Sequence, residues 1–346
     1  MRFKRSKKTA LAAGISMLSA VSVAALGVSN AYAGTNIKNP PQVKVVNTIS
    51  AGAPTPHFIG VDQRTDQLFI SHLAQGTVTV VNPKDGKLIH TINLGGVVHT
   101  VMVDQSTQTV YVTDIARGLV DVINARTYAL EARINVGGNP HGIAISNSLH
   151  KLFVSNIGTD QVDVVSIPSN MVLATINVGP NPWGVSYDSA NHMVYAANTG
   201  ISLQGVANPN GDTISEINAM TYQVVKTVTV GAHPWWALAD SQNNTVYAGL
   251  AGANEVAVVK DSMVVQDIPA GVSPHGLALD TKTKTLFVND SGSNQVTVID
   301  TKDNQVLATL PTGVQPQGVG IDKKTGYAYV SNQGSATVTV VKVSPK

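Results

Sequence analysis

Four histidines and three tryptophans hold most of the chemistry that this sequence offers. His57, His99 and His141 recur at 42-residue intervals, Trp183 follows at the same interval, and Trp235, His275 and Gln317 continue the series. Six of these seven positions directly follow a proline, and two, His141 and His275, sit in a Pro-His-Gly triplet. Neutral imidazole suits zinc, copper, iron or nickel, and three converging histidines with an open position form a catalytic metal arrangement. His57, His99, His141 and His275 are therefore candidate ligands for a transition metal. Asp114 and Asp290 would serve as acceptors that orient those imidazoles. Trp183 and Trp235, with Trp236 next to the latter, offer stacking surfaces for sugar rings or bases. With the histidines and Gln317 they form a candidate binding site for a small molecule, a glycan or a protein. A plainer reading runs beside both. Pro fixes a turn, Gly permits close packing and His bonds neighbouring backbone, so the triplet is a repeat consensus. No sequence-local pair has metal-ligand spacing, and no Gly-x-Ser-x-Gly, phosphate-loop or His-Glu-x-x-His motif occurs.

The elements that position these residues are themselves repeated. Seven segments start at Gly52, Gly95, Gly137, Gly179, Gly231, Gly271 and Gly313, at spacings of 43, 42, 42, 52, 40 and 42 residues. The third repeat predicts strand a over Gly142–Ser146, b over Lys151–Asn156, c over Gln161–Ser166 and d over Met171–Val178. Short β-branched strands at this spacing predict an all-β, seven-bladed β-propeller with four-stranded blades. The seventh repeat ends after strand c (Thr337–Val343). Its missing strand d is supplied by Val43–Ile49, so the N-terminal strand closes the last blade and removes two free sheet edges.

This architecture gives the recurring residues an orientation. Strand a is innermost in a propeller, so His57, His99, His141, Trp183, Trp235, His275 and Gln317 ring one mouth of the central channel. Strand b returns to that face, ending at His72, Asp114, Asn156, Asn198, Leu250, Asp290 and Asn332. The b–c loop of the fourth repeat, Thr199 to Asp212, is longer than its counterparts and is expected to overhang the channel beside Trp183. At the opposite face, Asp62, Asp104, Asp188, Asp240, Asp280 and Asp322 end strand a and read as turn formers.

The b strands also read Tyr111-Val112-Thr113-Asp114, Phe153-Val154-Ser155-Asn156, Tyr195-Ala196-Ala197-Asn198, Phe287-Val288-Asn289-Asp290 and Tyr329-Val330-Ser331-Asn332. This series resembles the YVTN-repeat propellers, which include YncE-like periplasmic proteins and surface-layer-associated proteins, over essentially all of residues 43–346. The resemblance implies single-stranded DNA as one ligand. The Pro-His-Gly triplets are also similar to those of streptogramin-lyase-type propellers, which implies a metal-dependent lyase or lactonase. Thr55, Val97, Asn139 and Ser273 stand two residues before the ring histidines, however, with no Glu among them. That departure removes the carboxylate metal site of such enzymes. The favoured reading is a non-catalytic binding protein, the alternative a metal-dependent enzyme using the His ring.

Composition sets the remaining bounds. Arg2, Lys4, Arg5, Lys7 and Lys8, a mildly apolar stretch and Ala31-Tyr32-Ala33 read as a cleaved signal peptide over residues 1–33, followed by a short leader, 34–42. A single propeller domain, 43–346, follows. The chain has no cysteine, hence no disulfide framework and no lipid-acylated cysteine. A periplasmic or secreted monomer without a membrane span after cleavage is expected. The whole chain counts 23 Lys+Arg against 21 Asp+Glu, and the mature part keeps 18 against 21. A net charge of −3 without a basic stripe runs against nucleic acid as the ligand.

Overall fold

The structure, a computed structural model, describes residues 41–344. Residues 1–33, read above as a signal peptide, lie outside them, as does most of the expected leader. Every regular element is a strand, and the strands form seven four-stranded sheets, each antiparallel in the order a-b-c-d. The chain is an all-β, seven-bladed propeller. Among the described residues no helix is long and apolar enough to cross a membrane.

The third blade shows how closely pattern and structure agree. Its strands run Pro140–Ser146, Lys151–Asn156, Gln161–Ser166 and Met171–Asn177. Strands b and c are buried on both faces between neighbouring blades and read as nearly continuous apolar runs. Strand d lies at the rim, and in most blades a single residue near its end is buried, such as Ile134 or Ile176. Burying that residue between blades is what fixes the register of an otherwise exposed edge strand.

The last blade closes as expected. Gln42–Ser50 pairs antiparallel with Thr337–Ser344, matching Val43 with Val343, Val45 with Val341 and Ile49 with Val338, with a register shift between Val45 and Asn47. Ile49 packs among Ile59, Leu68 and Ile70 of blade 1 and Tyr329, Val338 and Val340 of blade 7. The ends of the chain are thus joined through hydrophobic burial as well as hydrogen bonds.

A hydroxyl bridge ties several blades together near the axis. Ser155, third in the strand-b motif, accepts the Gly142 N–H of its own blade and donates to the Trp183 carbonyl of the next. Ser71, Thr113 and Ser331 do the same toward His99, His141 and His57. The bridge from Ser331 crosses the closure between blades 7 and 1. Ala197 and Gly249 occupy this place in blades 4 and 5 and have no hydroxyl to offer.

The turn aspartates behave as their spacing suggests. Asp62 accepts from the Arg64 N–H and the Thr65 hydroxyl, and Asp322 repeats the pattern with Lys324 and Thr325. Asp104, Asp188, Asp240 and Asp280 likewise accept the N–H two residues on. They build turns.

Candidate functional site

Each ring residue is aimed by two local features. In six blades the residue before the strand-a Pro is non-Gly with positive φ: Thr55, Asn139, Asn181, His233, Ser273 and Gln315. Asn139 and Asn181 steady this turn by donating to the carbonyls of Ile115 and Ile157. Three of the four positions that lack the lyase-type Glu, Thr55, Asn139 and Ser273, are therefore turn residues, and Asn is well suited to that backbone conformation. Strand a then slips register against strand b just after the Pro, between Pro140 and Ile143 for example, and a bulge of this kind redirects a side chain.

The structure brings His57, His99, His141, Trp183, Trp235, His275 and Gln317 together, and it buries all seven. Six of the rings make a continuous circuit of contacts. Centroids lie 4.1 Å apart for His57–His99, 3.5 Å for His99–His141 and 4.7 Å for His141–Trp183. Trp183–Trp235 at 4.7 Å, Trp235–His275 at 4.4 Å and His275–His57 at 5.6 Å complete it. The space left among them is a cavity of about 30 Å³, lined also by Ile115, Leu203, Ser291 and Gln333. That is room for about two or three water molecules.

Trp236 departs from the expected ring. It lies against Phe58, with centroids 4.9 Å apart, and both belong to the large apolar cluster. These two residues follow ring positions of blades 5 and 1, and together they plug the channel beneath the circuit. Gly184 makes room for this, since a Cβ there would stand 2.6 Å from the Trp236 ring. The three indoles are therefore not open stacking platforms, because aromatic packing across a narrow channel outcompetes exposure.

The outer ring also differs from its expected role. Asp114 accepts from Arg117 Nε at 2.5 Å and from the Val97 N–H, while Asp290 accepts from Thr297 and Gln295. Neither carboxylate reaches a ring imidazole, so neither orients one. Their siblings are spent the same way. His72 lies between the Pro54 carbonyl and Thr79, Asn156 donates to Asp163, and Asn332 donates to Thr339. Each pair spans seven residues across a b–c hairpin and locks that hairpin.

Burial sets the electrostatics of the circuit. It lowers His57, His99 and His141 well below the usual imidazole range, and the neighbouring imidazoles push in the same direction. His275 is lowered to about 3, chiefly by burial and opposed by a hydrogen bond to the Gln317 backbone. All four are neutral at pH 7. Burial also raises Asp290 to about 7, against its hydrogen bonds to Thr297 and Gln295. The Nδ1 atoms of His57, His141 and His275 have no partner among the described residues. His99 Nδ1 lies 3.1 Å from the Thr100 hydroxyl. Among the described residues no group of three or more His, Asp or Glu is arranged to hold a metal ion. The imidazoles pack against one another at interplanar angles of 47° for His57–His99, 42° for His99–His141 and 75° for His57–His275.

The long loop of blade 4 covers the circuit. Trp183 Nε1 donates to the Ile201 carbonyl at 3.0 Å. Leu203 packs with Trp183, Trp235, Ile115 and Ile157. Residues 204–210 are exposed above it. The residues that sequence reasoning missed are Leu203 and the hydroxyl bridges. Ser or Thr third in the strand-b motif was a readable signal for the bridges. Nothing local marked Leu203 as the residue that turns inward.

No protein-family model matches the chain, and comparison with curated proteins finds no match. Among solved structures it is similar to Kuenenia stuttgartiensis hydrazine synthase, with a TM-score of 0.72 and 18% identity. The similarity covers 85% of this chain and 97% of that one. At this identity the likeness is one of fold, and a shared propeller does not carry a shared activity.

Proposed function

We propose that the chain is an exported, non-catalytic binding propeller of the YVTN-repeat, YncE-like kind, whose ligand or partner engages the channel mouth beneath the blade-4 loop. The observation that carries this reading is the loop itself. It is longer than the b–c loops of the other blades, and it seats Leu203 on the two ring tryptophans while exposing residues 204–210. Loops of unusual length on a rigid scaffold are where recognition is commonly placed. The strand-b motifs support the family part of the proposal, and the signal-like N-terminus supports export to the periplasm or beyond. A small molecule, glycan or protein suits the mature charge of −3 better than a nucleic acid does.

Tryptophan fluorescence tests the reading, because Trp183 and Trp235 lie directly under Leu203. Titration with sugars, cell-wall fragments, peptides and oligonucleotides should change the emission for one class only. A variant lacking residues 204–210 should bind that class with altered affinity. Unchanged emission across all classes in both proteins would refute the proposal.

One observation favours a second reading, a metal-dependent enzyme using the His ring. Three imidazole Nδ1 atoms in the circuit have no partner among the described residues. A transition metal held by these atoms requires the rings to rotate out of their present tilted contacts.

A further inference from the structure

One residue of strand c breaks the pattern of the repeat. In six blades the strand-b aromatic pairs with a valine of strand c: Val80, Val122, Val164, Val258, Val298 and Val340. In blade 4 that place belongs to Glu216, paired with Tyr195. Glu216 is only 7% exposed. Its Oε2 accepts from the Ser262 hydroxyl of blade 5 at 2.6 Å, and no hydrogen bond reaches its Oε1 among the described residues. Lys226 faces it across the c–d strand pair, yet Lys226 is exposed. Among the described residues no ion pair includes Glu216. A buried carboxylate held by one hydroxyl costs stability that a valine would not.

The neighbouring turn departs from the repeat at the same place. The c–d turns of blades 1, 2, 3, 4 and 6 hold four to six residues, whereas in blade 5 only Asp261 and Ser262 stand between the strands. The longer turns cover the strand-b aromatic of the preceding blade. Tyr128 lies 6.2 Å from Phe69, Tyr222 joins the cluster around Phe153, and Asn304 accepts from the Tyr247 hydroxyl at 2.9 Å. A two-residue turn brings nothing of that reach to Tyr195. A cavity of about 210 Å³ remains there between blades 4 and 5. Glu216, Asp261, Asn191 and Asn244 form its polar side, and Met193 and Val259 its apolar side. It opens among the a–b and c–d turns, on the face opposite the channel mouth. A corresponding cavity of about 360 Å³ lies between blades 7 and 1, but there Val340 stands in place of the carboxylate and Lys84 brings a cation. The buried carboxylate is what sets the blade 4–5 cavity apart.

We propose that this cavity is a binding site for a small primary ammonium compound, with Glu216 Oε1 as the acceptor that pairs with the charge. Among the described residues no Lys, Arg or His lines it, and Asp261 adds a second carboxylate at the exposed rim. Asn191 spends its amide N–H groups on the Tyr195 hydroxyl and on Asn244, and Ser262 spends its hydroxyl on Glu216. What the site has left to offer is chiefly acceptor oxygen. An ammonium group supplies three donors and a positive charge, and hydrogen bonds between ionised partners are the strong ones. Met193 and Val259 suit a short aliphatic body. The volume lies below the roughly 300–1,000 Å³ of sites for drug-sized ligands, which limits the occupant to a small molecule. A residue that breaks a local rule at a cost in stability is expected where function requires it. The site is separate from the channel mouth and does not rest on the binding proposal made for it.

The test is isothermal titration calorimetry of the mature protein at low salt with ethylammonium, ethanolamine and putrescine, and with tetramethylammonium, ethanol and acetate as controls. At least one primary ammonium should bind saturably, while ethanol and acetate do not. Tetramethylammonium has no N–H to donate and should bind about tenfold more weakly or worse. Glu216→Gln keeps the shape of the side chain and an acceptor for Ser262, and should weaken the binding by about tenfold or more. Glu216→Val should abolish it. Without ligand, Glu216→Val should unfold at a higher urea concentration than the wild type, because it restores the residue of the sibling blades. The absence of saturable binding by every ammonium probe would overturn the proposal. Equal affinity in the wild type and Glu216→Gln would do the same. A lower urea midpoint for Glu216→Val would make the carboxylate a strut for Ser262, and the proposal would fall with it.

Discussion

Replacing Ile49 with alanine should destabilise this protein as much as the same change deep inside a blade. Ile49 lies in the first described strand, nearly the whole length of the chain from the residue it pairs with, Val338. It is nevertheless equivalent to Ile92, Ile134, Ile176 and Ile268, each the single buried residue of its outer strand. Its exposure is 6%, against 5% for Ile176. Truncating a buried aliphatic side chain of this size costs about 2–5 kcal/mol, transfer and cavity terms together. That is a large part of the roughly 5–15 kcal/mol of net stability that a folded domain carries. Urea unfolding of the wild type, Ile49→Ala and Ile176→Ala gives the comparison directly. Both variants should lose similar stability with unchanged m-values, because each leaves the same surface to be exposed on unfolding. A loss under about 0.5 kcal/mol for Ile49→Ala, beside a full loss for Ile176→Ala, would mean that the N-terminal strand is detached in solution. The closure argument would then be wrong.

Other expectations follow from the interior. Ser155→Ala removes a buried hydroxyl that joins Gly142 to the Trp183 carbonyl, and should cost about 1–3 kcal/mol by thermal or urea unfolding; an effect near zero would reduce the bridge to a bystander. The pH dependence has two opposing contributions, from His275 and Asp290. His275 falls from 6.5 to about 3 on folding, so the unfolded chain binds its proton first, and stability is lost as pH drops below 6.5. Asp290 rises from 3.8 to about 7, so the folded chain binds its proton first, and stability is gained as pH drops from 7 toward 3.8. Each amounts to about 1.4 kcal/mol per pH unit in its window. Asp290→Asn, an amide that three sibling positions already carry, should therefore steepen acid destabilisation by about that slope, as read from urea midpoints against pH. An unchanged slope would refute the assignment. Elemental analysis of the purified mature protein should find no stoichiometric zinc, copper, iron or nickel; a stoichiometric metal lost in the His57/His99/His141 triple alanine variant would favour the enzyme reading instead.

Periodicity alone determined the blade number, the strand order and the closing strand. Those features are repeated many times, and each repetition independently constrains the same answer. The turn aspartates were legible for a similar reason, since an Asp bonding the N–H two residues on is a local event. The identity and convergence of the ring residues were also legible, because strand a must line the axis. Their exposure was not. How wide a channel remains depends on how seven strands splay and which side chains reach across, and only tertiary packing decides that. Phe58 and Trp236 meeting across the axis, and Leu203 turning inward from a polar, glycine-rich loop, are long-range outcomes with no local signature. The same holds for Asp114 and Asp290. Their place at the end of strand b was readable, but their partners, Thr297 for Asp290 and Arg117 with the Val97 N–H for Asp114, depended on how the hairpin was buried. What the sequence presented as an open mouth of imidazoles and indoles is, in the folded chain, a closed aromatic circuit under a hairpin.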